Sequence, residues 1–153
     1  TQIDKFLRKE QDFEYKYDMF NAFAANRLAV RDQMLRDMHD GVIVICDRYI
    51  FSGIAYHIPL NASPKSIQNY QNIIGYFDKD MPIPDMTYLI SGNHLHLRQE
   101  NQQRFHGVNA NKLFNIFKQI IAYKTSNYMM LRNEYGKIDE LVQFMVNDII
   151  SKQ

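Results

Sequence analysis

The stretch Val42-Ile43-Val44-Ile45-Cys46-Asp47-Arg48-Tyr49-Ile50-Phe51-Ser52-Gly53-Ile54-Ala55-Tyr56 decides the fold. Its first five residues are apolar and mostly β-branched, the composition of a strand buried on both faces of a parallel sheet. Asp47 and Arg48 follow at once. In an open α/β sheet that is where ligands gather, outside the carboxyl end of a strand. Upstream, Phe13, Tyr17, Phe20 and Ala24 recur at helical spacing, as do Phe23, Val30 and Met34. They predict one helix over 13–39, N-capped by Asp12 and stopped by Gly41. Its wide apolar stripe implies more than one packing partner, and its length suits a crossover connection.

Downstream, Ser63-Pro64 reads as an N-cap followed by proline at the first helical position. That helix carries Ile67, Tyr70, Ile73 and Ile74. Met81-Pro82-Ile83-Pro84-Asp85 is a loop stiffened by two prolines. It leads into a second buried strand over 86–90. A polar stretch over 91–111 comes next. Leu113, Phe117, Ile120 and Ile121 mark an amphipathic helix, residues 128–131 a third strand, and Ile138, Leu141, Val142, Met145 and Ile149 the apolar face of a last helix. Three strands separated by helices argue for an α/β domain.

Composition sets the outer bounds. The chain has 153 residues, the length of one domain, with 18 Lys+Arg against 17 Asp+Glu. A net charge of +1 leaves no excess to neutralise many phosphates, which argues against a nucleic-acid partner. No apolar run approaches the ~20 residues of a membrane span. The single cysteine, Cys46, excludes an intramolecular disulfide and reads as a small buried strand residue. No linker, repeat or low-complexity block divides the chain.

Several residues carry candidate chemistry. Arg48 can hold phosphate oxygens bidentately, and Asp47 can orient it or reach a magnesium-bound water. Ser52 offers a hydroxyl, and Gly53 lets a ligand approach the backbone. Asp-Arg alone is more often a structural ion pair capping the sheet. Phe23 and Arg27, four apart, share one helix face. They could stack on and bond the edge of a base, or be a core aromatic and a surface charge. His94 and His96 lack a convincing third ligand, so no metal site is assigned.

Phe23-Ala24-Ala25-Asn26-Arg27, Asp47-Arg48-Tyr49 with Ser52-Gly53-Ile54-Ala55-Tyr56, and Pro84-Asp85 before a strand stand in an order and spacing that resembles the thymidylate kinase family of P-loop nucleoside-monophosphate kinases. The resemblance spans essentially the whole chain. It implies a P-loop kinase-type parallel sheet flanked by helices. It also implies ATP- and magnesium-dependent phosphorylation of dTMP to dTDP in dTTP synthesis, by a cytoplasmic homodimer. By position, Phe23 would stack on thymine and Arg27 would bond its edge. Arg48 would hold the acceptor phosphate, with Asp47 near the metal. Ser52 and Gly53 would line the base pocket, and Tyr56 would press on the sugar. The segment 91–111 resembles the family's lid, with Arg98, Arg104 and Phe105 as its candidate residues. Phe105, His106 and Leu28 depart from the family's pattern.

No Gly-x-x-x-x-Gly-Lys-Ser/Thr loop occurs in the sequence. In the family that loop precedes the segment that Thr1-Gln2-Ile3-Asp4-Lys5-Phe6-Leu7 resembles. The chain is therefore expected to be the C-terminal three quarters of such a domain. A strand-helix-strand unit would be missing, and the chain alone would be inactive. Two other readings remain: a non-catalytic relative that keeps nucleotide or dimer contacts, and another nucleotide kinase of the same fold.

Overall fold

A computed structural model describes residues 1–92, 109–134 and 136–152. The candidate lid residues Arg98, Arg104 and Phe105, together with His94, His96 and His106, lie outside the described residues, as does the side chain of Tyr17. The elements are α1 (Gln2–Leu7), α2 (Lys16–His39), α3 (Ile50–Ala55), α4 (Pro64–Ile74), β1 (Thr87–Gly92), α5 (Ala110–Lys124), β2 (Tyr128–Asn133) and α6 (Ile138–Ile150).

The 24-residue α2 is about 36 Å long at 1.5 Å per residue. It starts after Tyr15, not Asp12, because the Tyr15 backbone is extended and hands over directly to the helix. Its end is the one the sequence predicts. Gly41 takes φ +79°, a left-handed turn that glycine adopts without penalty. The Val42 N–H then bonds Asp37 O (2.8 Å) and the Gly41 N–H bonds Met38 O (3.1 Å), which closes a Schellman motif. Ser63 caps α4 by accepting from Ser66 N (3.2 Å), with Pro64 in the first turn. Asn109 caps α5 by accepting from Lys112 N (3.0 Å).

β1 and β2 pair in parallel, with Thr87 opposite Tyr128 and Gly92 opposite Asn133. Alternation along β1 sends neighbouring side chains to opposite faces. Leu89 enters the main core, where α5 packs. Tyr88 faces the other way and donates its hydroxyl hydrogen to Asp148 of α6. The sheet thus has a helix on each face, the layering of an α/β domain. The core lies between α3, α4, α5 and β1. It is built from Ile50, Phe51, Ile54 and Ala55, then Ile67 and Ile74, then Leu89, then Ile116, Ile120 and Ile121.

Other expectations from the sequence do not hold. Residues 42–46 form no strand, and Cys46 is exposed, not buried. Val42, Ile43 and Ile45 are 54%, 45% and 79% exposed. The segment has the composition of a central strand but no neighbouring strand among the described residues, so no ladder forms. Val30 points to solvent, because α2 packs through Phe20, Phe23, Ala24, Arg27 and Met34. On α6, Ile138 and Val142 are exposed, while Leu141, Met145 and Ile149 turn inward.

Candidate nucleotide-binding site

A narrow cleft opens where α2 passes α3 and the segment after α4. Phe20, Phe23, Arg27, Gly53, His57, Ile74, Phe77 and Asp78 line it. Phe23 and Arg27 reach it together because they are one turn apart on α2. The Phe23 ring is also met edge-on by Phe6 of α1, at 6.3 Å between centroids. It therefore serves both the packing of α1 and the wall of the cleft.

Arg27 is held by Asp78. Nε donates to Oδ1 and Nη2 donates to Oδ2, each at 2.7 Å. The Asp78 side chain is only 3% exposed and that of Arg27 16%. The guanidinium lies against Gly53 of α3. A Cβ added there would stand 2.8 Å from Nη2, so any side chain there would push the guanidinium aside. One turn on, His57 Nδ1 donates to Gly53 O (2.5 Å), which fixes the Nδ1–H tautomer, since a carbonyl can only accept. The Phe20 ring lies on the His57 imidazole, with centroids 3.4 Å apart.

Further contacts fasten this wall. Arg31, one turn after Arg27, donates from Nε to Asp80 O (2.5 Å). Tyr49 donates its phenol hydrogen to Pro82 O (3.1 Å). Burial, with Cys46 and Asp78 adding to it, pushes the Tyr49 phenol up to about 12. The stiff loop that leads to β1 is thus pinned to both α2 and the start of α3.

Arg48 does not line the cleft. It stands just before α3 with φ +60°, a left-handed conformation unusual for a residue with a side chain. Such strain at one residue is a pointer to function. Its guanidinium reaches along α3 and stacks on the Tyr56 ring at 5.5 Å, while Tyr56 meets Phe117 of α5 edge-on at 6.1 Å. Asp47 is exposed, and Ser52 is half-buried in α3 beside Gly53. Of the residues named from the sequence, Phe23, Arg27 and Gly53 line the cleft, Arg48 and Tyr56 stack on one another without lining it, and Asp47 and Ser52 join neither set.

Asp78, His57 and Phe77 were not legible as site residues. Asp78 sits in a run, Asp78-Lys79-Asp80, that reads as a solvated turn. Only the fold shows that its partner lies 51 positions back. Among the described residues no three His, Cys, Asp or Glu side chains converge as a metal site. The described residues do not by themselves form a site for ATP and its magnesium.

Chemically, the cleft offers a flat aromatic wall and a fixed guanidinium that can only donate. That combination suits a planar ring with a carbonyl at its edge. Comparison with known proteins gives the family of the chain. A curated thymidylate kinase of Caenorhabditis elegans is 44% identical over 57 residues, 37% of this chain and 25% of that protein. The thymidylate kinase of Leptospira borgpetersenii is 30% identical over 131 residues, 80% of this chain. In these alignments the chain spans 25% and 61% of the relatives' lengths. No solved structure matches it. The family described as thymidylate kinase matches residues 1–135, which contain the cleft, the Arg48–Tyr56 stack and the whole sheet. Its α/β layering fits that match, and the chain belongs to the thymidylate kinase family.

Proposed function

We propose that the protein containing this chain transfers the γ-phosphoryl group of ATP, with magnesium, to dTMP, and that this chain supplies the dTMP site. One observation carries the reading: Phe23 and Arg27 share a cleft with Gly53, and the Arg27 guanidinium is fixed there with donors to spare. Thymine stacks on Phe23, and its 4-oxo group accepts from Arg27. Arg48, outside the cleft on the Tyr56 ring, takes the acceptor phosphate, with Asp47 beside it in sequence toward the metal. Ser52 flanks the base, and Tyr56 presses on the sugar. Positioning and charge neutralisation are the main needs of phosphoryl transfer, and these residues supply both on the acceptor side.

No phosphate-binding loop stands in these 153 residues, so the chain by itself is expected to show no turnover. A homodimer is part of the same reading. Leu28, Val30, Leu35 and Met38 are exposed along α2 and leave an apolar surface for a second copy. Among the described residues no helix is long and apolar enough to cross a membrane.

The decisive assay uses the full-length gene product with ATP, magnesium and dTMP, dUMP, dCMP or dGMP. Preference for dTMP is the expected result. Equal use of all four acceptors would remove the thymidylate reading, and turnover by the 153-residue chain alone would contradict the division of labour.

A further inference from the structure

We propose that Asp78 is a positioning residue for base selection: it holds the Arg27 guanidinium flat over Gly53 and so fixes which N–H groups meet the ring. This deepens the dTMP-site reading and rests on it. The pair is forked on both sides, Nε to Oδ1 and Nη2 to Oδ2 at 2.7 Å each. Such pairing sets the plane of the guanidinium as well as its distance. With Asp78 3% and Arg27 16% exposed, each charge is costly to leave without the other. Gly53 closes the arrangement from below. A Cβ there would lie 2.8 Å from Nη2, 3.2 Å from Cζ and 3.3 Å from Nη1. The plane is therefore held at one edge by a carboxylate and on one face by bare helix backbone.

The consequence is a selection rule. With Nε and one Nη2 hydrogen committed to Asp78, Arg27 retains Nη1 and the second Nη2 hydrogen, all of them donors. Among the described residues Asp78 is the only acid lining the cleft, and both of its oxygens are engaged. The charged groups of the cleft thus present donors to a base edge. A 4-oxo pyrimidine meets them with a carbonyl, whereas a 4-amino pyrimidine sets donor against donor. Without the Asp78 charge the guanidinium is free to turn, and the distinction weakens.

The test uses the full-length gene product carrying D78N, D78E or G53A, with steady-state kinetics on dTMP and dCMP and a thermal melt of each variant. D78N is expected to raise the dTMP KM about tenfold to a hundredfold, the size of one charged hydrogen bond, with kcat changing far less. The dTMP-over-dCMP ratio falls with it. D78E keeps the charge and recovers part of that ratio, a rescue that a packing role would not give. G53A displaces the guanidinium from the opposite side and yields the same pattern, so it carries the test if D78N does not fold. A folded D78N with wild-type KM and base preference overturns the proposal. So does a lowered melting point with KM unchanged, the mark of a purely structural pair. A wild-type protein without dTMP preference would defeat the dTMP-site reading itself; preference intact in D78N defeats only the role of Asp78.

Discussion

Two apolar stretches follow one another in this chain and meet opposite fates. In α3, Ile50, Ile54 and Ala55 are 3%, 1% and 0% exposed. In residues 42–46, Ile45 is 79% exposed. The difference is in what each conformation requires. A helix satisfies its own backbone and needs only side-chain neighbours, which α3 finds in α2, α4 and α5. A strand needs another strand to take its N–H and C=O groups, and none lies beside 42–46 among the described residues. Apolar composition gives a segment the capacity to be buried; the neighbours decide whether it is.

The sharpest way to break that comparison is to make the same truncation in both places. Ile54→Ala should cost about 2–5 kcal/mol of stability, because it empties a filled core position. Ile45→Ala should stay within about 0.5 kcal/mol, as an exposed substitution does. Denaturant melts of both variants read this directly. An Ile45→Ala cost equal to that of Ile54→Ala would mean that 42–46 is covered in solution.

The junction between the two stretches gives a smaller effect. Arg48→Ala in the full-length protein should lose about 1.5–3 kcal/mol of transition-state stabilisation for each charged contact removed. Arg48→Gly should lose the same activity yet melt no lower than wild type. Glycine relieves about 1–2 kcal/mol of left-handed strain against a backbone-entropy cost of roughly 0.5–1 kcal/mol. Unchanged kcat/KM in both variants would remove Arg48 from the site. A marked loss of stability in Arg48→Gly would show that the strain is not carried there.

The smallest effect is alkaline. The phenols of Tyr49 and Tyr88 are both pushed up to about 12, by burial first, with the Asp148 hydrogen bond adding at Tyr88. A phenol with a raised value contributes its full share below its ordinary value of 10 and loses it as pH climbs toward 12. Stability should therefore fall across that window, and in Tyr88→Phe the fall should shrink. The partner carboxylate behaves oppositely. Asp148 is held below its ordinary 3.8 by Lys152 and then Tyr88, so its share is present above that value and lost in acid. An alkaline limb identical in Tyr88→Phe and wild type would remove the latch between β1 and α6 from the account.

Much of the fold was legible because its signals are local. Gly41 ends α2, Ser63-Pro64 opens α4, short apolar runs mark β1 and β2, and periodic apolar residues mark α6. What escaped the sequence depends on distant partners. Residues 42–46 look like a strand whether or not a neighbour exists. Ile50–Ala55 is too short for its helical period to show. The cleft divides the same way. Phe23 and Arg27 were visible as a pair on one helix face, whereas Asp78 carries no local mark of burial, and Gly53 gains its meaning only from the guanidinium above it.

The span of that guanidinium–carboxylate contact has a kinetic consequence. It closes a loop of 51 residues that threads through α3 and α4. Closing it costs entropy that local contacts do not, and contacts of long sequence separation slow folding. The forked pair therefore depends on α3 and α4 being in place between its two ends. On the proposed dTMP-site reading, a chain with native-like helix content but without this contact would capture ligand poorly, and ligand capture would report completed folding where circular dichroism could not.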